Sequence, residues 1–335
     1  MRKRGILFLF IALLAPCPAI AAQAALPRSA TLATHAVGSI YYAMGTGIAT
    51  VIGRNSSMTV RVQPYAGPPA WLPSMDTGET DMGIITSGDA ASAYRGVILY
   101  KKAYKNTRIL AVGGTLKLGF YVSKESPIQT VADLKGRRVP SDYPGIPAIR
   151  RIIEGALATA GLTYNDVVRV PVSDLQAGAQ AFLEGRTEAV WHSVGSPAVE
   201  EANARHGTGI RFISIVATPE AARRLADIYP GSYPGLVKAG SATGVVKDVY
   251  LSTNDIYLAG GKALSDEAAY EVARLLWEKN QDLGASHRSL QEWTRERMAS
   301  PQVFIPYHSG AVRFYKEKGV WTPEMEAVQS KLLSE

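Results

Sequence analysis

The stretch ATHAVGSIYYAMGTGIA, residues 33–49, contains the junction that decides how the chain folds. An apolar run with strand character ends at Thr34, Gly38 follows, and a long helical pattern over 41–52 begins directly afterwards. Gly38 permits close approach to the backbone, and the start of a helix offers free N–H groups with a positive dipole end. The stretch therefore predicts either an anion site or an ordinary tight turn between a strand and a helix.

The same order of strand and helix recurs along most of the chain. The patterns predict strands at 30–34, 59–63, 82–86, 108–112, 118–122, 137–140, 167–170, 188–192, 210–215 and 245–252. They predict helices at 41–52, 87–94, 148–160, 173–183, 197–205, 266–283, 290–298, 310–318 and 323–332. Such alternation is typical of an α/β fold whose mainly parallel sheets are covered by helices on both faces.

Ten strands are more natural in two lobes than in one sheet. The chain changes character over 121–138 and again near 245–257, where extended runs could cross between lobes. We therefore expect a discontinuous lobe 1 over 25–123 plus 248–335, a lobe 2 over 124–247, and a hinge of two crossovers. Ligand clefts favour such interfaces between lobes.

Residues 1–24 have the layout of a cleavable secretory signal peptide. Basic residues open the chain, an apolar run follows over 5–15, and small residues surround a cleavage position after Ala24. Cys17 could suggest a lipid anchor, but the proline before it fits a lipoprotein signal poorly. The expected location is the periplasm.

The composition argues against several classes of protein. Of 335 residues, 36 are basic and 29 acidic, and without 1–24 the balance is 33 to 29, a net charge of +4 with no cysteine. A cysteine-free chain excludes a disulfide scaffold and a cysteine zinc site. The basic residues form scattered pairs without interleaved aromatics, so we expect no nucleic-acid partner.

Signals for an enzyme are weak. The five histidines show no His-x-x-x-His spacing, and the chain contains no phosphate loop and no Gly-x-Ser-x-Gly nucleophile motif. We therefore expect no catalytic residues, no metal and no cofactor. The competing hypothesis is an enzyme on the same fold, with His192 and either Asp89 or Asp142 as base and orienting acid.

Five segments together resemble one known family, in order and over nearly the whole chain after residue 24. They are ATHAVGSIYYAMGTGIA (33–49), TGETDMGIITSGDAASAYRG (77–96), SPIQTVADLKGRRV (126–139), AFLEGRTEAVWHSVGSP (181–197) and IPYHSGAVRFYKEKGVW (305–321). The chain resembles the TAXI proteins, which are TRAP-transporter-associated extracytoplasmic solute receptors with the type II periplasmic-binding fold.

The resemblance implies a two-lobed clamshell that captures a small organic acid or amino acid. A monomeric receptor of this kind delivers its solute to small and large integral membrane subunits, fused or separate, that are driven by an ion gradient. The alternative within the same fold is a receptor that presents its closed form to a signalling partner.

The resemblance and the strand ends together suggest the ligand-binding residues. We expect one lobe to contribute Ser39, Tyr41, Tyr42, Tyr65, Gly67, Thr86 and Ser87. We expect the other to contribute Tyr143, Gly145, Ile146, Arg150, His192 and Ser193. Arg150 or Arg151, at the start of a helix, could neutralise a carboxylate, or both could face solvent.

Two loops depart from the family pattern. Tyr-Ala-Gly-Pro stands at 65–68 where the family has Thr-Gly-Gly-Ser, and Pro-Gly-Ile-Pro-Ala stands at 144–148 where it has Pro-Gly-Ser-Gly-Thr. Both changes remove hydrogen-bond donors and add rigid apolar surface. They predict a ligand with a carboxylate end and a larger apolar or aromatic body, the alternative being a glutamate-like amino acid.

Overall fold

The strands predicted at 108–112 and 118–122 are one continuous strand, and this strand organises the sheet. The computed structural model describes residues 26–37, 39–144 and 146–335. The signal peptide with Cys17, and the glycines at 38 and 145, lie outside the described residues.

The described chain contains ten strands. They are β1 (Ser29–His35), β2 (Thr59–Tyr65), β3 (Met82–Thr86), β4 (Arg108–Ser123), β5 (Arg138–Asp142), β6 (Val168–Val172), β7 (Val190–Ser193), β8 (Ile210–Phe212), β9 (Ser232–Val237) and β10 (Val249–Gly260).

Twelve α-helices accompany the strands in the described residues. They are α1 (Ile40–Asn55), α2 (Pro68–Thr77), α3 (Ser87–Arg95), α4 (Pro147–Thr159), α5 (Leu175–Leu183), α6 (Pro197–Arg205), α7 (Pro219–Ile228), α8 (Asp266–Glu278), α9 (Asn280–Ser286), α10 (Arg295–Met298), α11 (Ser309–Glu317) and α12 (Pro323–Ser334). Short 3₁₀ turns occupy Val131–Leu134, Tyr164–Asp166 and Arg288–Leu290.

The predicted α/β class is confirmed, and the strand directions are more mixed than predicted. The main sheet has the order β2-β1-β3-β10-β4-β7, with β8 beside β4 and β9 beside β10, and β5 and β6 form a separate pair. The pairs β1–β2, β1–β3 and β5–β6 are parallel. Strand β10 runs antiparallel to β3, β4 and β9, and β4 runs antiparallel to β7 and β8.

Strands β4 and β10 connect two groups of shorter strands. The C-terminal half of β10 pairs with β3, which belongs with β1 and β2 in a first strand group. Its N-terminal half pairs with β9, and the C-terminal half of β4 pairs with β7 and β8, which make up a second strand group with β9. Ladder register shifts interrupt the β4–β10 pairing near Asp255. Strand β10 therefore pairs with members of both groups, and β4 joins β10 to the second.

The apolar core covers both faces of the sheet. Trp71, Trp191 and Trp293 are fully buried in the larger cluster, and Tyr121 and Phe212 anchor a smaller cluster in the second strand group. Within the described residues, none of the helices is long and apolar enough to cross a bilayer.

Candidate functional site

A cavity of about 510 Å³ is lined by residues from both strand groups. His35 and Thr86, at the ends of β1 and β3, line it from the first group, and His192 and Ser193, at the end of β7, line it from the second. In open α/β sheets ligands bind outside the carboxyl ends of the strands. The cavity is therefore the candidate ligand site.

The starts of several helices surround the cavity, and four of them have a polar cap, whereas α4 begins after Ile146 without one. Ser39 Oγ accepts from the N–H of Tyr42 at 3.1 Å at the start of α1, and Thr86 Oγ1 accepts from the N–H of Asp89 at 3.1 Å at the start of α3. Ser196 and Asp174 cap α6 and α5 in the same way. These caps place hydroxyl and carboxyl groups beside the positive ends of the helices.

Much of the cavity wall is apolar. Branched aliphatic side chains come from α1, β4, α4 and α5, and they are Ile40, Leu116, Leu118, Ile146, Ile149, Ile152 and Leu175. Such a wall suits a ligand with an apolar body, because burying apolar surface is favourable without directional contacts.

The charged groups of the lining are all acidic. Asp89, Asp174 and Glu201 line the cavity, whereas no lysine or arginine does so in the part of the chain that the structure describes. The carboxylate of Asp174 accepts from the N–H of Ala177 as the N-cap of α5, and Glu201 pairs with Arg205 at 2.8 Å. Asp89 is the buried member of this set, with only 7% of its surface exposed.

Hydroxyl groups hold the Asp89 carboxylate. Thr86 Oγ1 donates to Oδ2 at 3.2 Å and Tyr100 Oη donates to Oδ1 at 3.3 Å. Burial raises the pKa of Asp89 to about 6, although the hydroxyls of Thr86, Tyr100 and Tyr229 oppose that rise. Near neutral pH the cavity therefore contains a buried carboxylate that is mostly ionised.

His192 is neutral and its tautomer is fixed. The N–H of Ser193 donates to His192 Nδ1 at 2.9 Å, and Ser196 Oγ lies 2.8 Å from the same nitrogen. Because a backbone N–H can only donate, Nδ1 is unprotonated and Nε2 carries the hydrogen. Burial lowers the pKa of His192 to about 4, so the ring offers an N–H donor without a positive charge.

His35 and Tyr41 form a stacked pair on the other side of the cavity. Their ring centroids are 4.2 Å apart and the planes differ by 13°. Burial lowers the pKa of His35 to about 4, and burial together with the nearby charge of Asp89 raises the pKa of the Tyr41 hydroxyl. Both rings are therefore uncharged at neutral pH.

The structure brings six of the predicted site residues together and places the others elsewhere. Ser39, Tyr41, Thr86, Ile146, His192 and Ser193 line the cavity. Gly145 lies outside the described residues. The remaining six do not line this cavity, and they are Tyr42, Tyr65, Gly67, Ser87, Tyr143 and Arg150.

Their own contacts explain why several of these six point elsewhere. Ser87 Oγ donates to the carbonyl of Gly231 at 3.1 Å, and Tyr65 Oη donates to Gln63 Oε1 at 3.2 Å. Arg150 does not reach the cavity, because it pairs with Glu154 one turn further along α4 at 3.2 Å.

Helix capping or burial in the core accounts for the positions of the other three residues. Tyr42 is the residue whose N–H is taken by the cap of α1, and Gly67 is the N-cap position of α2. Tyr143 is fully buried and has a left-handed backbone with φ of 50°. Side-chain direction at these positions depends on packing that a linear pattern does not contain.

Sequence reasoning missed other lining residues. His35 lines the cavity and is the last residue of β1, within the segment 33–49. Its position at the end of a strand could have identified it as a candidate. Asp89 was considered only as an acid of the competing enzyme hypothesis. The other acid of that hypothesis, Asp142, pairs with Arg169 at 2.6 Å and does not line the cavity.

The described residues contain no cluster of three or more His, Cys, Asp or Glu side chains arranged to hold a metal ion. The cavity, surrounded by strand ends and helix starts, has the form of a site for a small organic molecule.

Comparison with known proteins places the chain in a class and then in a family. A structure described as a periplasmic transporter matches with a TM-score of 0.51 at 13% identity, over 92% of this chain and 97% of that one. A TctC solute binding protein from Polaromonas matches with a TM-score of 0.50 at 14% identity, over 79% of this chain and 86% of that one. The fold is therefore that of the periplasmic solute-binding proteins. The chain belongs to the NMT1-like family, whose model matches residues 32–319.

Proposed function

We propose that the chain is an extracytoplasmic receptor that captures a small solute between two lobes, 25–123 plus 248–335 and 124–247. One observation carries the proposal: a single cavity is lined both by Thr86 of the first strand group and by His192 of the second. A solute that touches both groups stabilises the closed arrangement, whereas one that touches a single group does not.

The solute that best fits the wall has an apolar body. The aliphatic side chains from β4, α4 and α5 support the apolar part of the sequence prediction. The carboxylate part of that prediction has weaker support. Helix starts offer N–H donors, but the described lining contains three acidic residues and no lysine or arginine. A glutamate-like amino acid, with two carboxylates, fits such a lining least.

Delivery to membrane subunits of the TRAP type is the second part of the proposal. It is supported by the five segments that resemble TAXI receptors, and by the likeness to a structure described as a periplasmic transporter. We infer that the receptor acts in the periplasm as a monomer and carries no activity of an enzyme.

Thermal unfolding with a panel of small solutes tests the proposal. A ligand present at 100 times its dissociation constant adds about 2.7 kcal/mol of stability, which gives a readily measured shift of the midpoint. Small-angle scattering of the stabilised complex should show a smaller radius of gyration than the free protein, because the lobes close.

A blocking variant locates the binding. Leu175→Trp adds volume at the cavity wall and should abolish the thermal shift, whereas Leu333→Trp, at a position 52% exposed on α12, should leave it intact. Equal shifts in both variants would place the bound solute somewhere other than the cavity. A broad panel with no stabilising solute would contradict the receptor function itself.

A further inference from the structure

The cavity contains a buried negative charge that no side chain of the described residues neutralises. Asp89 is 7% exposed, and its carboxylate accepts hydrogen bonds from the neutral hydroxyls of Thr86 and Tyr100. None of the ion pairs found among the described residues includes Asp89, and no lysine or arginine lines the cavity. A buried carboxylate is costly unless a cation comes to pair with it.

The cations that could have served an anionic solute are engaged elsewhere. Arg150 and Arg151 both bind Glu154 on their own helix, at 3.2 and 2.6 Å. Lys117, on β4, pairs with Glu292. An organic anion in the cavity would therefore meet the charge of Asp89 with no basic side chain to offset it, and like charges at short range oppose binding.

The opposite side of the cavity offers a neutral donor. His192 is 6% exposed, lines the cavity and carries its hydrogen on Nε2, for which the described residues provide no acceptor. The Tyr41 hydroxyl, on the side of Asp89, likewise has no hydrogen-bond partner in the described part of the chain, although Tyr41 also lines the cavity. A donor that reaches the cavity surface without a partner is a position that a ligand acceptor would satisfy.

On the basis of the receptor function proposed above, we propose that the solute is an organic cation whose protonated amine pairs with Asp89. Its apolar body lies against the aliphatic wall that includes Leu118 and Ile149, and a hydrogen-bond acceptor at its other end meets Nε2 of His192. This solute class replaces the carboxylate-ended ligand predicted from the sequence, and it keeps the apolar body.

A panel matched in shape tests the solute class. We would titrate the protein by calorimetry at neutral pH with 2-(4-methoxyphenyl)ethylamine, 3-(4-methoxyphenyl)propionate and 3-(4-methoxyphenyl)propionamide, whose ether oxygen supplies the acceptor for His192. The unsubstituted phenyl, cyclohexyl and isobutyl counterparts of each would be titrated beside them. At least one amine should bind about tenfold or more tightly than the carboxylate of the same body. Carboxylates that bind as tightly as their matched amines would overturn the solute class and leave the receptor function standing. A panel in which nothing binds would contradict both.

Two isosteric variants test the residue. Asp89→Asn should weaken the amine by about tenfold or more while leaving the neutral amide almost unchanged. Asp174→Asn removes another carboxylate of the lining and keeps the cap of α5, because asparagine caps helices as well as aspartate does. It should change the amine affinity by less than about threefold. Equal losses of amine affinity in the two variants would show that the amine senses the overall negative charge of the lining and makes no direct contact with Asp89.

The pH dependence gives a readout that packing alone would not produce. Amine affinity should fall as the pH drops through about 6, where Asp89 takes up a proton, and Asp89→Asn should abolish that fall. The titratable groups facing Asp89 are Tyr41, Tyr100 and Tyr229, whose pKa values are all raised, so they stay protonated over this range. His35, stacked on Tyr41 on the side of Asp89, and His192, across the cavity, both titrate near 4 and stay neutral. An amine affinity that is flat between pH 5 and 7.5 would overturn the pairing with Asp89.

Discussion

The guanidinium of Arg297 donates to Asp255 Oδ1 at 2.6 Å, and through the same group it holds both long strands of the sheet. Its Nε also donates to the carbonyl of Gly113 on β4 at 2.8 Å, whereas Asp255 belongs to β10. The contact lies beside the shift in ladder register near Asp255. Arg297 thus supplies hydrogen bonds at the place where the ladder itself is interrupted.

Removing that group should destabilise the fold. Arg297→Met keeps the apolar stem and loses both contacts, so the free energy of unfolding should drop by about 1–3 kcal/mol. Asp255→Asn is the matched control, because it keeps an acceptor and loses only the charge, and its loss should be smaller. Urea unfolding followed by circular dichroism measures both, and equal losses would show that the charge matters and the strand-bridging geometry does not.

Gly113 leaves room for a tryptophan ring. A Cβ at this position would lie 2.3 Å from Cε2 of Trp293, which is fully buried. Gly113→Ala should therefore force the ring or β4 to move and lower the free energy of unfolding by about 1–3 kcal/mol.

A second glycine supplies a control of opposite sign. Gly53 lies exposed inside α1, and a Cβ there would come no closer than 3.9 Å to a neighbouring atom. Gly53→Ala should raise stability by up to about 1 kcal/mol, because alanine favours helix. Thermal and urea unfolding measure both variants. An unchanged free energy of unfolding in Gly113→Ala would contradict the packing argument.

The outline of the fold was predictable because most elements follow periodic patterns with clear ends. Strand β3 and helix α6 have the bounds expected from the sequence. Strand β4 was divided in two because Gly113 and Gly114 break a strand pattern. The strand continues through them because the Trp293 ring packs where a side chain would otherwise stand.

Two elements that contain prolines, α2 and β9, were missed. Helix α2 begins at Pro68 and includes Pro73, and β9 contains Pro234 next to Gly235. Local propensity opposes both elements, and tertiary packing stabilises them: β9 is paired in register with β10, and Trp71 of α2 is fully buried.

The candidate site was predictable only in part, for a similar reason. Ser39 and Thr86 could be placed because they cap helices directly after strands, and this position follows from the linear pattern. The burial of Asp89 and the engagement of Arg150 with Glu154 depend on contacts that a pattern does not contain. The sequence therefore predicted the apolar body of a solute and could not reveal the sign of the charge that the cavity presents.

The stability of the native protein relative to an Asp89→Asn variant should be greater in mild acid than near neutral pH. Its pKa is about 6 in the fold and 3.8 without burial, so the folded state favours the protonated form. The stabilisation is fully present below about pH 3.8 and is lost as the pH rises through 6, a difference of up to about 3 kcal/mol. The unfolding free energy of the native protein minus that of Asp89→Asn should therefore decrease from pH 4 to pH 7. A constant difference would mean that Asp89 is solvated in the free protein.

His192 should show the opposite dependence on pH. Burial lowers its pKa from 6.5 to about 4, so the folded state favours the neutral ring and protonation opposes folding. The stabilisation is present above about pH 6.5 and is lost as the pH falls through 4, again by up to about 3 kcal/mol. His192→Gln cannot take up this proton, although it loses the contacts of Nδ1 with Ser193 and Ser196. At pH 7 the free energy of unfolding of His192→Gln should therefore be lower than that of the native protein, and the difference should shrink as the pH approaches 4.

His35 and Asp89 titrate in both proteins, so their contributions largely cancel in the comparison. Parallel stability curves for the two proteins would show that His192 is not held neutral in the fold, and the N–H donor assigned to its Nε2 would then be withdrawn.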